Sequence, residues 1–183
     1  MRAHIIFKNT RRSKVSGNKW EKWKNILYLL ERFLTLKTYI MENLQYYFDM
    51  VENCIRDLGV DPAVCRGEQA GQWSLKKGSA SVWIDVWNIE SEGRAYFQVL
   101  SPVMQVPAAN TEAFYQELLE LNYTLYGVAF VKFNDWVYVK LIREVDGLEQ
   151  KEAAATINRV GWYADEYDDK LKVKYGVVVG GRG

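Results

Sequence analysis

The part of the sequence that most constrains the fold is a predicted β-hairpin followed by a long helix. Two runs rich in β-branched and aromatic residues, 128–133 and 136–143, are separated by Asn134 and Asp135, which tolerate the positive φ angles of a tight turn. In the second run, aliphatic residues alternate with a mixed set. Because side chains alternate between the two faces of a strand, we expect the aliphatic face to point into the core.

The segment after the hairpin has the hydrophobic period of a helix. Apolar residues recur at alternating steps of three and four from Ile157 to Leu171, which places them on one side of the helix. Segment 148–174 contains no proline, and Gly161 is its one weak position. A helix of this length needs the sheet of the hairpin, or a partner, to cover its apolar side.

Helical and strand patterns also alternate in the preceding part of the chain. Segment 41–58 is predicted to form an amphipathic helix that Gly59 ends. Further elements are predicted as strands at 73–76, 80–89 and 94–102, the last extending toward Val106, and as a helix from Asn110 or Thr111 to near Gly127. We therefore expect an α+β fold, in which an antiparallel sheet of about five strands packs with three helices in the order α-β-β-β-α-β-β-α.

Charge divides the chain at Met41. The formal net charge is +1, yet residues 1–40 carry ten Lys or Arg and two Asp or Glu, while residues 41–183 carry fourteen and twenty-one. The formal net charge is therefore +8 for residues 1–40 and −7 for residues 41–183. Because phosphate binding needs a basic face, the acidic main segment argues against nucleic acid as its partner.

Three interpretations of the basic extension 1–40 are open. Residues 1–17 have no sustained period and are expected to be disordered or loosely structured, whereas helical spacing begins at Asn18. The extension is an added helix that packs on the domain, a basic amphipathic helix that lies on a membrane or another protein, or non-native sequence upstream of a true start at Met41. We favour the last, because charge and sequence character change together at Met41. Charged residues interrupt the apolar run, so neither a membrane span nor a signal peptide is expected.

Cysteine and histidine give no sign of a metal or catalytic site. Cys54 and Cys65 are eleven residues apart without a Cys-x-x-Cys pair, and His4 is distant from both. We expect neither a disulfide framework nor a zinc site, and Cys54 lies on an apolar helix stripe where a small buried hydrophobe fits. Free thiols fit a reducing cytoplasm, and no serine elbow or triad is visible. We therefore predict no catalytic residues, no metal and no cofactor.

Two features look like ligand sites but have simpler interpretations. Asp165, Glu166, Asp168 and Asp169 form an acidic group on the last helix that could hold a hard cation. We favour a solvated helix face, since calcium sites usually add loop carbonyls. The glycine-rich segment 176–183 looks like a phosphate loop without the helix that should follow it, so a flexible tail is expected.

Aromatic residues are the remaining candidates for a functional surface. Trp83, Trp87, Trp136 and Tyr138 are predicted on the strand face opposite the aliphatic one, and Trp162 lies off the main stripe of the last helix. Either the last helix covers this aromatic face as core, or the face stays open to a partner. The five residues are therefore the candidate protein-binding or dimer surface.

Three motifs in segment 112–171 carry a family resemblance. They are the helix end Leu-Leu-Glu-Leu-Asn at 118–122, the hairpin through Asn134 and Asp135, and the Ala-Asp-Glu-Tyr-Asp run at 164–168 of the last helix. The segment resembles the YbjN family of small bacterial proteins, which share the fold of the type III secretion chaperones, including the Tir-chaperone (CesT-like) group. The upstream helix and three strands are in the family's order. The resemblance covers residues 41–175, and the extension 1–40 has no counterpart.

The resemblance implies a non-enzymatic, often dimeric protein that holds a segment of another protein or acts in regulation. It brings no catalytic residues to this sequence. We therefore expect a homodimeric protein-binding module of the secretion-chaperone-like type, without nucleic acid or a membrane span. The alternative is a regulatory or sensory domain that binds a small ligand or cation near the acidic last helix.

Overall fold

The computed structural model describes residues 19–176, apart from the side chains of residue 19 and of residues 36–43. A boundary between Met41 and Glu42 separates two compact units, and all five strands belong to the second. The predicted disorder of residues 1–17 and the predicted flexible tail after Gly176 lie outside the described residues. The status of extension 1–40 stays a prediction.

Within the described residues, the chain forms three α-helices, one short 3₁₀ helix and five strands. In chain order these are α1 (Lys19–Asp57), the 3₁₀ helix (Pro62–Val64), β1 (Gln72–Lys77), β2 (Ala80–Ile89), β3 (Arg94–Gln105), α2 (Thr111–Asn122), β4 (Ala129–Phe133), β5 (Trp136–Glu144) and α3 (Gln150–Tyr175). The α-β-β-β-α-β-β-α order predicted from the sequence is confirmed. The 3₁₀ helix is an addition, which begins where the Asp61 side chain accepts a hydrogen bond from the backbone N–H of Ala63.

The helix α1 replaces the two helical segments that the sequence suggested on either side of Met41. No proline or glycine occurs within its bounds, so nothing in the sequence interrupts its backbone hydrogen bonds. It ends shortly before Gly59, whose φ of 79° is in the left-handed region that glycine favours. No helix in residues 19–176 has both the length and the apolar composition needed to cross a bilayer.

The helix α2 is shorter than predicted. It ends at Asn122 and not near Gly127, because the Asn122 side chain is bonded to the neighbouring strand β4. Its amide oxygen accepts the backbone N–H of Phe130 at 2.6 Å, and its amide nitrogen donates to the Phe130 carbonyl at 3.3 Å. The cap residue Asn110 has a φ of 56° and makes no side-chain cap hydrogen bond.

The five strands form one antiparallel sheet in the order β1-β2-β3-β5-β4. The central strand β3 pairs with β2 on one side and β5 on the other, and its register with β5 shifts between Pro102 and Met104. A bulge at this point tolerates the missing N–H of Pro102 inside a central strand. The turn at Asn134 and Asp135 joins β4 to β5 as predicted, with Asn134 at a φ of 49°.

One face of the sheet is buried beneath α3. Its aliphatic and aromatic side chains are at most 2% exposed: Val82, Ile84, Val86, Phe97, Val99, Val137 and Val139. The helix contributes the buried side that its sequence period predicted, including Ile157, Val160 and Leu171. The aliphatic face therefore forms the core, as the alternation along the strands indicated.

Gly161 allows α3 to lie close to the β1–β2 hairpin. A Cβ atom at this position would be 3.1 Å from the Cβ of Lys77 and 3.1 Å from Cγ2 of Val82. Glycine has a low helix propensity, and this close packing explains why it lies within α3.

We expect Gly161→Val to lower the free energy of unfolding by about 1–3 kcal/mol, because the added atoms would press on Lys77 and Val82. Urea unfolding monitored by circular dichroism would measure the change. Ala155→Val on the exposed side of the same helix is the matched control and should have a smaller effect. Equal losses in the two variants would contradict the packing role of Gly161.

Candidate functional site

The sheet face opposite α3 carries most of the strand aromatics. On β2, Trp83 and Trp87 alternate with the buried Val82, Ile84 and Val86. Trp83 is 39% exposed and Trp87 is half-buried. Since successive residues of a strand point to opposite faces, both tryptophans lie on the face that α3 leaves uncovered. The sequence left open whether the last helix covers this face, and in the structure it covers the aliphatic one.

Two pairs of rings connect the strands across this face. Trp87 stacks on Tyr96, its direct partner on β3, with ring centroids 5.8 Å apart. Trp83 lies 6.2 Å from Tyr138, which is two strands away on β5. These cross-strand contacts shield each ring in part, so the aromatics are only partly exposed.

A third aromatic position lies at the β4–β5 turn. Trp136 and Phe133 are directly opposite each other and are 38% and 68% exposed. From Trp87 to Phe133 the path crosses three strand spacings and eight residues along β5, a diagonal of about 30 Å, or about nine extended residues. We call the following six residues the aromatic face: Trp83, Trp87, Tyr96, Phe133, Trp136 and Tyr138.

Two members of the aromatic face, Tyr96 and Phe133, were not predicted from the sequence. Tyr96 precedes the buried Phe97, and Phe133 faces Trp136 across the turn. The alternation of side chains along β3 could have predicted Tyr96. The predicted hairpin could have predicted Phe133, because it places the residues on either side of the turn opposite each other.

A carboxylate lies in the middle of this face. Asp85 is half-buried on β2 between the two tryptophans, and its direct strand partners are Gln72 on β1 and Gln98 on β3. Gln72 donates its amide to Oδ1 at 3.2 Å, and Gln98 donates to Oδ2 at 3.1 Å. The two amides hold the carboxylate in a fixed orientation.

Trp162 lies apart from the four strand aromatics with which the sequence grouped it. It is 53% exposed on α3, the helix that packs on the aliphatic face. Its ring contacts its neighbour Tyr163 at a centroid distance of 4.9 Å. The structure thus brings together Trp83, Trp87, Trp136 and Tyr138 on one face and leaves Trp162 elsewhere.

The acidic group on α3 is engaged in contacts within the chain. Glu166 pairs with Lys170 at 2.5 Å and Asp168 pairs with Lys172 at 2.6 Å, both one helical turn away. Asp169 is exposed. Among residues 19–176 no group of three or more acidic, histidine or cysteine side chains is arranged to hold a metal ion.

Asp165 has a structural partner on the β1–β2 turn. Its carboxylate accepts the Ser79 hydroxyl and the Ser79 backbone N–H, both at 2.7 Å. These hydrogen bonds, the hydroxyl first, lower the pKa of Asp165 below its usual value of 3.8. The acidic helix therefore anchors the hairpin turn, which passes so close that a Cβ on Gly78 would collide with the carboxylate.

A polar cleft of about 380 Å³ lies between α1 and the segment that leads into β1. Two of its charged lining residues are paired, because Glu52 binds Arg66 at 2.7 Å. Glu52 also binds Arg56, one helical turn away on α1, at 3.3 Å. Phe48 closes one side by packing edge-to-face on Trp73 at 5.8 Å. The cleft contains no catalytic arrangement among these residues.

Both cysteines are buried free thiols. Cys54 donates weakly to the Gln150 carbonyl at 3.5 Å, which joins α1 to the start of α3. Burial, followed by the negative charge of Asp57, raises the pKa of the Cys54 thiol to about 11. The thiol stays protonated at neutral pH and acts as the small buried hydrophobe that the sequence indicated.

Residues 47–181 match a protein family described as type III secretion system (YopN, CesT) and YbjN peptide-binding chaperone 1. The chain belongs to this family. The resemblance to YbjN proteins and secretion chaperones seen in the sequence is confirmed. The match begins within α1 and includes every strand and the two later helices.

Solved structures show the same fold as this YbjN and secretion-chaperone family member. The crystal structure of the ExsC–ExsE complex aligns with a TM-score of 0.52 and 13% identity, covering 69% of this chain and 94% of the matched chain. The structure of the HopA1–SchA chaperone–effector complex aligns with a TM-score of 0.52 and 8% identity, covering 70% and 97%. No curated protein matches the sequence. Identities this low establish a shared fold alone.

Asp165→Asn should destabilise the protein at neutral pH, because the ionised carboxylate is the form that Ser79 stabilises. A lowered folded-state pKa gives stability that is present above the unfolded pKa of about 4 and is lost as the pH falls through the folded value. The stability difference between wild type and variant should therefore shrink between about pH 5 and pH 2. Urea unfolding at several pH values would measure it, with Asp169→Asn as the exposed control. A difference that does not change with pH would contradict this account.

Proposed function

We propose that this chain is a non-enzymatic, chaperone-like module that holds an extended segment of another protein against its aromatic face. The observation that carries the proposal is the set of partly exposed rings on the sheet face that α3 leaves uncovered. Membership of a family described as peptide-binding chaperones supports the same class of function. The two similar solved structures are of protein complexes, one of them a chaperone with an effector.

The chemistry of the aromatic face fits a protein segment better than a small molecule. Its rings are spread over about 30 Å, the length of roughly nine extended residues. Partly exposed Trp and Tyr rings provide large contact areas at a low cost in side-chain entropy. A segment that lies across these rings would bury apolar side chains at several successive positions.

Contacts along both sheet edges also favour binding on the face. The edge of β1 is paired by the preceding segment, where Ser74 N–H donates to the Cys65 carbonyl at 2.7 Å and Gly67 N–H donates to the Gln72 carbonyl at 2.8 Å. At the other edge, the side chain of Asn122 occupies both backbone groups of Phe130. Addition of a partner strand would have to displace these contacts.

The first test is binding of a reduced, carboxymethylated small protein that cannot fold, measured by fluorescence anisotropy with the full chain. We expect Trp83→Ala to weaken binding about tenfold, because Trp83 is a partly exposed ring near the middle of the aromatic face. Trp162→Ala, also an exposed tryptophan, should leave the affinity unchanged. Thermal unfolding of each variant would verify that its fold is retained.

Three results would contradict the proposal in different ways. No binding of the unfolded protein to the wild type would argue against chaperone-like function. An equal loss of affinity in the Trp83 and Trp162 variants would argue for a binding surface that includes Trp162. A loss of affinity in the Trp162 variant alone would show that the segment binds on α3 and not on the aromatic face.

We further propose that the module works as a homodimer, and a second exposed apolar surface supports this. Leu119 and Tyr123, one helical turn apart at the end of α2, are 71% and 94% exposed, and Tyr126 shortly after them is 76% exposed. Large apolar groups exposed side by side often mark contacts between subunits. None of these three residues belongs to the aromatic face.

Light scattering after size exclusion should give twice the mass of one chain for the wild type. Leu119→Glu should shift the protein toward the monomer mass, because it places a charge in the proposed contact. Val173→Glu is the matched control, since Val173 is 87% exposed on α3. A monomeric wild type would rule out the homodimer but not segment binding.

The alternative function, binding of a small ligand or cation near the acidic helix, has no specific observation in its favour. Three of the acidic side chains have partners within the chain, Ser79, Lys170 and Lys172. We therefore do not propose it.

A further inference from the structure

The uncompensated charge on the aromatic face indicates the chemistry of the bound segment. Asp85 forms no ion pair within the described part of the chain, and its hydrogen-bond partners there are the amides of Gln72 and Gln98. The cationic side chains on the same face are engaged or lie farther away. Arg94 pairs with Glu144 at 2.6 Å, and Lys140 is separated from Asp85 by the whole of β3. Lys76 is four residues along β1 from Gln72, the strand partner of Asp85, which is about 13 Å. The carboxylate therefore lies among aromatic rings without a counter-charge.

The two glutamines fix the carboxylate and leave it able to accept more hydrogen bonds. Each oxygen of Asp85 accepts one amide, at 3.2 Å from Gln72 and at 3.1 Å from Gln98. A carboxylate has about four acceptor sites, so both oxygens retain capacity for another donor. A guanidinium group can use two such oxygens at once through its parallel N–H groups.

The neighbouring tryptophans suit a planar cation. Trp83 and Trp87 are two residues before and after Asp85 on the same strand face, so their Cα atoms are each about 7 Å from that of Asp85. An arginine side chain stacks on aromatic faces while it pairs with a carboxylate, and a lysine ammonium lacks the planar fork. Position, charge and ring arrangement therefore favour arginine.

We propose that the protein segment held by the aromatic face carries an arginine, flanked by apolar residues, that pairs with Asp85 between Trp83 and Trp87. This inference rests on the proposed function and specifies its ligand class. Gln72 and Gln98 act as positioning residues, because their amides hold the carboxylate. A glutamate at the same place in the segment would be repelled.

The experiment selects binders from a displayed library of random 15-residue peptides on the full chain, on Asp85→Asn and on Asp169→Asn. Asparagine keeps the size and polarity of Asp85 but removes its charge. Asp169→Asn is the matched control, because this exposed residue loses the same charge on α3. Sequencing of the selected pools should show arginine enriched among apolar residues for the wild type and the control, and that enrichment should be absent for Asp85→Asn.

One selected peptide is then synthesised with its arginine and with glutamine in its place. For the wild type, the glutamine peptide should bind about tenfold more weakly, the combined size expected for an exposed ion pair and a cation–π contact. For Asp85→Asn the two peptides should bind alike, because paired changes are not additive when two groups interact. The arginine preference should also fall as salt is raised.

The outcomes separate this inference from the proposed function. Peptide binding without an arginine preference, or a preference that survives in Asp85→Asn, overturns the inference and leaves segment binding intact. Failure of every peptide and of the unfolded protein to bind the wild type overturns both. The comparison of the two peptides on the wild type needs no variant, so a folding defect in Asp85→Asn cannot obscure the result.

Discussion

The packing of α3 on the aliphatic face of the sheet is the interaction on which the rest of the structure depends. The helix covers the middle strands with side chains such as Ile157 and Val160, opposite fully buried valines. Burying a side chain of this size stabilises a fold by about 1.5–3 kcal/mol, so this contact accounts for much of the core. Gly161 sets the close approach, and Asp165 anchors the β1–β2 turn to the helix. Since α3 buries one face of the sheet, the rings on the other face shield one another.

The uncovered face combines aromatic contacts with one oriented charge. Rings on neighbouring strands shield one another in part, which lowers the cost of leaving them in water and keeps them available to a partner. The carboxylate in their midst is held by amides from both adjacent strands. Contacts at both sheet edges fit the proposal that a partner binds on this face, because a new strand would have to displace Cys65 and Gly67 at one edge and Asn122 at the other.

The family membership and the fold similarity carry different kinds of information. Alignment with solved structures at 8% and 13% identity shows that the order and packing of the elements persist while most residues change. Packing of this kind depends on the hydrophobic pattern, which many sequences satisfy. We therefore propose that specificity lies in the side chains on the open surfaces, which here are the aromatic face with Asp85 and the exposed residues at the end of α2.

The sequence by itself determined the order of elements, the hairpin at Asn134 and Asp135, and the buried side of α3. These features follow from signals between near neighbours, namely positive φ at a turn, alternation along a strand and the helical period. Only the tertiary structure decided which face α3 covers, that Trp162 lies apart from the strand aromatics, and that Asp165 meets Ser79 across 86 positions of sequence. The physical reason is that local patterns depend on backbone geometry over a few residues, whereas contacts between distant residues depend on how whole elements pack.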